Sequence, residues 1–240
     1  MFPSFTGTIF SWNRSSICEI LILEFGDNMM ENQYRKWYGE KRARLAIEAF
    51  KNKGWETHYA ENLEEAKTLL FGTCLPKNVS VGLGGSETLA AMKILPVLRN
   101  GDYKLYDRYD CADHFEVCRE SLLAEYFLTG ANALTMGGEM VNIDCSGSRV
   151  AAMAYGPRHI IVVSGVNKLV EDLDEAVARV RTIAPMNCKR NNHKTPCAET
   201  GECAECNIEQ RMCNHLLITF NAKKFEKRFT LILINEELGF

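Results

Sequence analysis

At 240 residues, 46% hydrophobic and 25% charged, the chain suits one α/β domain with a packed core, or such a domain with a small appendage. A net charge of -3 gives no bias toward nucleic acid or an anionic membrane surface, and no window approaches the ~20 consecutive apolar residues of a membrane span. No secretory pattern frames the N-terminus, so the ten cysteines are read in a reducing, cytoplasmic setting, where metal or redox chemistry is expected before disulfides.

Residues 1–29 read as an upstream extension. Glu19 and Glu24 interrupt the apolar run Ile17–Phe25, Met29 or Met30 offers an alternative start, and Trp12 and Cys18 receive no role. The α/β domain is expected over 30–240, with a cysteine-rich insert at 186–215. Tyr34–Lys53 predicts an amphipathic helix with Trp37, Tyr38, Leu45, Ala49 and Phe50 toward the core and Gly54 as its stop. Trp55–Tyr59 alternates as a strand does, and Asn62 with Glu65 has capping-box spacing for a helix to about Phe71.

Val79–Leu83 is a short apolar strand running into Gly84-Gly85-Ser86, after which Glu87–Leu95 is helix-permissive and should end or kink at Pro96. Such a strand–turn–helix elbow can present backbone N–H groups to a small anion, so Gly82, Gly84, Gly85, Ser86 and Glu87 are candidate substrate-binding residues. Glu87 complicates this: it suits the start of a helix but repels an anion. The elbow is neither a Walker loop nor a full dinucleotide fingerprint, so no nucleotide cofactor is expected.

Tyr103–Asp107 reads as a strand. Asp113 and Glu116 cap a helix expected to bury Phe115, Leu122, Leu123, Tyr126 and Phe127 and to close at Gly130, with His114 a surface residue in its first turn. Ala131–Ile143 is a hairpin around Met136-Gly137-Gly138, Arg149–Tyr155 is ambiguous, and Ile160–Val163 is a strand covered on both faces. Asp172 and Glu175 cap a helix over Leu173–Ala184, stopped by Pro185; Leu216–Phe220 and Phe229–Ile234 finish as strands. Strands alternating with helices at this spacing predict an α/β fold with a mostly parallel sheet.

Two further groups carry chemistry. Glu139, Asp144 and Arg149 cluster around glycine turns, where a carboxylate serves as a base and an arginine as a carboxylate clamp; the alternative is an Asp–Arg pair that closes a turn. Cys197-x5-Cys203-x2-Cys206-x6-Cys213 supplies four thiols for a structural zinc or an iron–sulfur cluster, the metal undecided, with Cys188, His193 and His215 nearby. Glu199, Glu202, Glu205 and Glu209 around them should raise the thiol pKa values.

The ordered set VGLGGSETL, TGANALTMGGEMVNID, GSRVAAMAYGPRHIIVVSGVNKLVEDLDEA, TPCAETGECAEC and INEELGF resembles the lactate-utilisation (LUD) domain proteins, over about Tyr34 to Phe240. The resemblance implies the type of fold shared by ribose-5-phosphate isomerases and CoA transferases, in which a loop matching Gly82–Ser86 cradles phosphate or part of a substrate. It also implies a bacterial or archaeal cytoplasmic role in converting L-lactate to pyruvate, beside iron–sulfur partner proteins. The elbow departs from the sugar-phosphate loops by placing Glu87 directly after Ser86. Many LUD relatives lack the cysteine segment, so the metal rests on the spacing here.

Three functions follow as expectations. The chain is a component of L-lactate utilisation that binds a small carboxylate, or an isomerase- or CoA-transferase-like enzyme, or a scaffold for iron–sulfur partners. A homo-oligomer is compatible with each.

Overall fold

The computed structural model describes the backbone of residues 14–240 and the side chains from Gln33 onward. The expectations for Trp12, the side chain of Cys18 and the start at Met29 or Met30 lie outside the described residues. The chain divides into two units, Met1–Tyr38 and Gly39–Phe240. Helix α1 (Arg14–Asn52) runs through both. In the first unit, Tyr34, Trp37 and Tyr38 are exposed, against the expectation that the two last face a core.

In the second unit α1 buries Ala43, Ala46 and Phe50, while Leu45 is 65% exposed. The apolar stripe therefore follows i, i+3 and i+7, two alanines and then Phe50. Small side chains allow close approach of the helix to the sheet. The chain then makes β1 (Glu56–Ala60), α2 (Leu63–Leu69) with a π turn to Cys74, β2 (Ser80–Leu83), α3 (Glu87–Ala91) and α4 (Ile94–Asn100). Asn62 caps α2 as its spacing predicts, accepting from the Glu65 amide at 2.9 Å. Pro96 does not end a helix. Lys93, at φ 51°, breaks the run instead, and Pro96 falls in the first turn of α4, where its missing N–H costs nothing.

Next come β3 (Lys104–Tyr106), α5 (His114–Glu120) and β4 (Tyr126–Thr129). Asp113 caps α5, but the helix expected to run on to Gly130 stops at Glu120, and Tyr126–Thr129 is a strand. Phe115 and Leu123 are exposed, whereas Phe127 and Leu128 are buried on opposite faces of the sheet. A β-prone Tyr-Phe-Leu-Thr run that finds partners on both sides overrides the helical pattern. The hairpin β5 (Ala133–Thr135) and β6 (Met140–Asp144) is as expected, with Gly138 at φ 89° in its turn.

The rest is α6 (Ser148–Ala154), β7 (His159–Gly165), β8 (Leu169–Val170), α7 (Leu173–Arg190), α8 (Pro196–Thr200), β9 (His215–Thr219) and β10 (Phe229–Ile234). Pro185 does not stop α7. The helix continues to Arg190 with Pro185 buried inside it, capped at its start by Asp172.

Six parallel strands in the order β1-β10-β7-β4-β2-β3 form the main sheet, and β8-β5-β6-β9 form a second. The sheet is covered on both faces, which its period-two burial shows: Ile160, Val162, Leu231 and Leu233 join one core, Ile161, Val163, Ile232 and Ile234 the other. On the first face Trp55 packs between Phe50 (ring centroids 5.0 Å apart, edge-on) and Phe229 (4.7 Å). The second sheet lays Ala133 and Val141 against Ala176 and Val180 of α7. Because the six strands are parallel, their carboxyl ends share one edge. There lie the elbow after β2, Arg108 after β3, Gly130–Asn132 after β4, Lys168 after β7 and Phe240 after β10. Among the described residues no helix is long and apolar enough to cross a membrane.

Candidate functional site

A cleft of about 280 Å³ opens at that edge, lined by Gly85, Arg108, His114, Asn132, Asp144, Arg149, Asn187, Arg190, His193 and Cys213 among others. The elbow and the Asp144–Arg149 turn thus border one cavity. A larger groove of about 760 Å³ beside α6 is mainly apolar and lacks both the elbow and Arg149. Convergent charged groups, more than volume, mark a site for small polar ligands, and they favour the smaller cleft.

The elbow is built for close packing. A Cβ on Gly84 would stand 2.7 Å from Thr129 Oγ1 and 3.0 Å from Arg149 Cδ, and one on Gly82 would meet Ser121 and Phe127. The Gly84 amide is already taken by the Leu128 carbonyl at 2.9 Å. At Gly85 an added Cβ meets nothing within 4 Å. Ser86 is the N-cap of α3, accepting from the Leu89 amide at 3.3 Å, but α3 has only five residues and a correspondingly small dipole. Glu87 pairs with Arg190 of α7, which neutralises the repulsion its position suggested.

Arg149 is 7% exposed and fully engaged. Its guanidinium donates to Gly130 O (3.2 Å), Asn142 Oδ1 (2.7 Å), Asn132 Oδ1 (2.8 Å) and Ile143 O (2.8 Å). Burial, with Arg108 and Arg190 nearby, lowers its pKa, and Asp144 opposes them. Asp144 Oδ2 accepts from the Arg149 and Val150 amides at 3.0 and 3.4 Å, while Oδ1 lies 3.9 Å from Arg149 Nε. Asp144 therefore holds the first turn of α6, and Arg149 ties the strand ends together. Glu139 does not line the cleft. It pairs with Lys53 and the Thr135 hydroxyl at the base of the hairpin.

Composition did not single out Arg108, whose basic side chain follows β3 like many surface arginines. Its guanidinium reaches Leu83 O at 3.4 Å and His114 Nε2 at 2.9 Å, and His114 Nδ1 lies 3.0 Å from the Arg108 carbonyl. These contacts suit the Nδ1–H tautomer, with Nε2 accepting. Arg108 Nε is buried without a hydrogen-bond partner, and among the described residues no carboxylate pairs with Arg108. His114 is exposed, as the sequence suggests, and it also lines the cleft.

The cysteine segment forms another wall of the cleft, through His193, Met212 and Cys213, and Cys145 after β6 lies beside them. Arg211 folds the loop by donating to Cys206 O at 2.7 Å and Cys213 O at 3.1 Å. Cys188 and Cys197 are buried with their Sγ atoms 3.7 Å apart; Cys203 is exposed, and Cys206 and Cys213 are half-buried. Burial raises the Cys213 thiol pKa, and Cys203, Cys197 and Cys206 add to it. Glu205 and Glu199 turn away, to Arg181 (3.1 Å) and Lys189 (3.8 Å), so the acidic residues do not set that shift. Among the described residues no group of three or more His, Cys, Asp or Glu is arranged to hold a metal ion.

The fold and cleft define an open, parallel α/β domain with a cationic pocket at the carboxyl edge of its sheet, where such folds bind ligands. A family model for the LUD domain matches residues 43–234, and the chain belongs to that family, which is associated with lactate utilisation. No curated protein matches the chain. Among solved structures, a DUF162 family protein from Deinococcus radiodurans is similar, at 13% identity and a TM-score of 0.47, covering 82% of this chain and 98% of that one.

Proposed function

We propose that the chain is a component of L-lactate utilisation that binds a small carboxylate in the cleft between the glycine elbow and α7. Arg108 carries this reading: a guanidinium with a buried, unpartnered Nε and no ion pair among the described residues, at the wall of a cavity of about 280 Å³, ample for a small carboxylic acid. Arg149, the clamp suggested by its spacing, has its donors committed to the fold, so Arg108 takes that role, with Asn132, Asn187 and Arg190 beside it. A charge-assisted hydrogen bond is worth about 2 kcal/mol, roughly thirtyfold in affinity. Calorimetric titration with L-lactate and with pyruvate should show binding that falls about that much in Arg108→Met. Equal affinity in the variant, or no binding of either acid, refutes the proposal.

The surroundings of Glu139 and Asp144 lend no support to an acyl-transfer or isomerase reading, because both carboxylates are occupied by structural partners. A second proposal concerns the Cys197, Cys203, Cys206 and Cys213 thiols, whose metal remains either zinc or an iron–sulfur cluster. It is supported by the nearness of the other three to the Cys213 thiol, whose pKa burial raises first and Cys203, Cys197 and Cys206 raise further. Thiolates ligate zinc at about 2.3 Å, so the loop carrying Cys203 and Cys206 would have to close on Cys197 and Cys213. Protein isolated anaerobically should contain stoichiometric zinc or iron, and metal-free protein with titratable thiols refutes it. Iron–sulfur partner proteins would then dock as electron carriers to the same system.

A further inference from the structure

Lys168 has no part in the roles above. It ends the short turn after β7, is 5% exposed, and donates from Nζ to Thr88 Oγ1 at 3.1 Å. Among the described residues no carboxylate lies within ion-pair distance of it. The charged groups that face it are Arg179 from α7, Arg149 from α6 and Glu87 from α3. Arg179 is itself anchored to Asn132 O (2.7 Å) and Asn167 O (3.0 Å), which holds the two loops that flank the amine.

Lys168 borders a recess of about 30 Å³, large enough for one water-sized group, with Gly85, Ser86, Asn132, Asn187 and Arg190 around it. Gly85, Asn132, Arg149, Asn187 and Arg190 also line the larger cleft, so the recess adjoins it; Glu87 and the terminal residue Phe240 line the recess as well. The buried amine beside this cationic cleft has Thr88 as its hydrogen-bond partner and, among the described residues, no ion pair to match its charge. An anion held above it would bring its neighbouring carbon to the amine.

We propose that Lys168 is an imine-forming residue for a small 2-oxo acid whose carboxylate Arg108 holds in the cleft. This rests on the carboxylate-binding reading of the same cleft. The neutral amine adds its lone pair to the carbonyl carbon, forming the N–C bond of a carbinolamine. The carbinolamine hydroxyl takes up a proton and leaves as water, and the nitrogen keeps one proton as the iminium. No oxidant or second substrate is required. Burial, then the Arg179 and Arg149 charges, push the Lys168 pKa down to about 7 against a weaker pull from Glu87. An ordinary lysine near 10.4 is roughly a thousandfold poorer in neutral amine at pH 7.

The test treats the full chain with pyruvate, and separately with glyoxylate, in the presence of cyanoborohydride, and maps the reduced adduct by peptide mass spectrometry. Calorimetry without reductant measures binding of the same acids. The expected result is an adduct concentrated on Lys168 that saturates with acid, increases as pH rises through about 7, and is lost in Lys168→Arg. If Lys168→Arg melts early, Lys168→Met and the wild-type map decide the point. Binding by calorimetry without adduct on Lys168, or label spread evenly over surface lysines, overturns the imine and leaves the carboxylate reading standing. Absence of binding removes both.

Discussion

Replacing Gly84 with alanine tests whether the elbow is shaped by packing. The added Cβ would lie 2.7 Å from Thr129 Oγ1 and 3.0 and 3.1 Å from Arg149 Cδ and Cγ. Neither neighbour can retreat: Thr129 is wholly buried, and Arg149 is fixed by four hydrogen bonds. Gly84 does not occupy the left-handed region, so the cost is steric and not one of backbone strain. Overpacking of this kind costs about 1–3 kcal/mol, and for a domain of this length ~2 kcal/mol lowers Tm by about 4–8 °C. Gly85→Ala is the control, since its Cβ meets open space, and should stay within ~0.5 kcal/mol of the parent. Thr129→Ala removes the nearer obstacle, so the double variant should lose less than the two single losses added together. Thermal melts and urea titrations of the parent and the four variants measure this. A Gly84→Ala protein as stable as the parent, or a Gly85→Ala protein equally damaged, would show that the elbow glycines are not there for close approach.

Other expectations concern the rest of the domain. Burial pushes the Glu139 pKa up, but Lys53 and the Thr135 hydroxyl more than offset it, leaving it below the usual carboxylate value of 4.5. Its contribution to stability is therefore full above that value and is lost as pH falls through the lower, folded one. Lys53→Met should flatten the fall in urea midpoint from neutral pH down into that range; an unchanged pH profile contradicts the pairing. Trp55 carries a buried indole N–H without a partner among the described residues, between Phe50 and Phe229. Trp55→Phe should therefore cost far less than the ~3–5 kcal/mol of Trp55→Ala, and similar losses for both would mean the indole nitrogen is satisfied.

Local signals were readable wherever the neighbours in sequence are also the neighbours in space. Asn62, Asp113 and Asp172 accept from the amides two or three residues on, as their spacing predicts, and Gly138 occupies its turn. The apolar run Ile160–Val163 lies at the centre of the sheet because only a fully covered strand leaves no polar face. Pro185 and Tyr126–Thr129 were misread for the opposite reason. Packing of α7 against the second sheet carries that helix past its proline, and pairing with β2 and β7 turns Tyr126–Thr129 into a strand.

The amino-acid order alone settled the α/β class, the glycine elbow after β2 and the family, because each depends on contiguous residues; it did not settle the full order of elements, since β4 read as the end of a helix and Arg149–Tyr155 stayed ambiguous. Only the packed chain decided which charged groups are spent on the fold and which face a ligand. Arg149 and Asp144 stand five residues apart and look alike from either viewpoint, yet their donors and acceptors are consumed by Gly130, Asn132, Asn142, Ile143 and the start of α6. Arg108 and Lys168 stand 60 residues apart and lie along one sheet edge because parallel strands deliver their carboxyl ends to the same side. Whether a charge is matched depends on distances through space, which spacing along the chain does not encode.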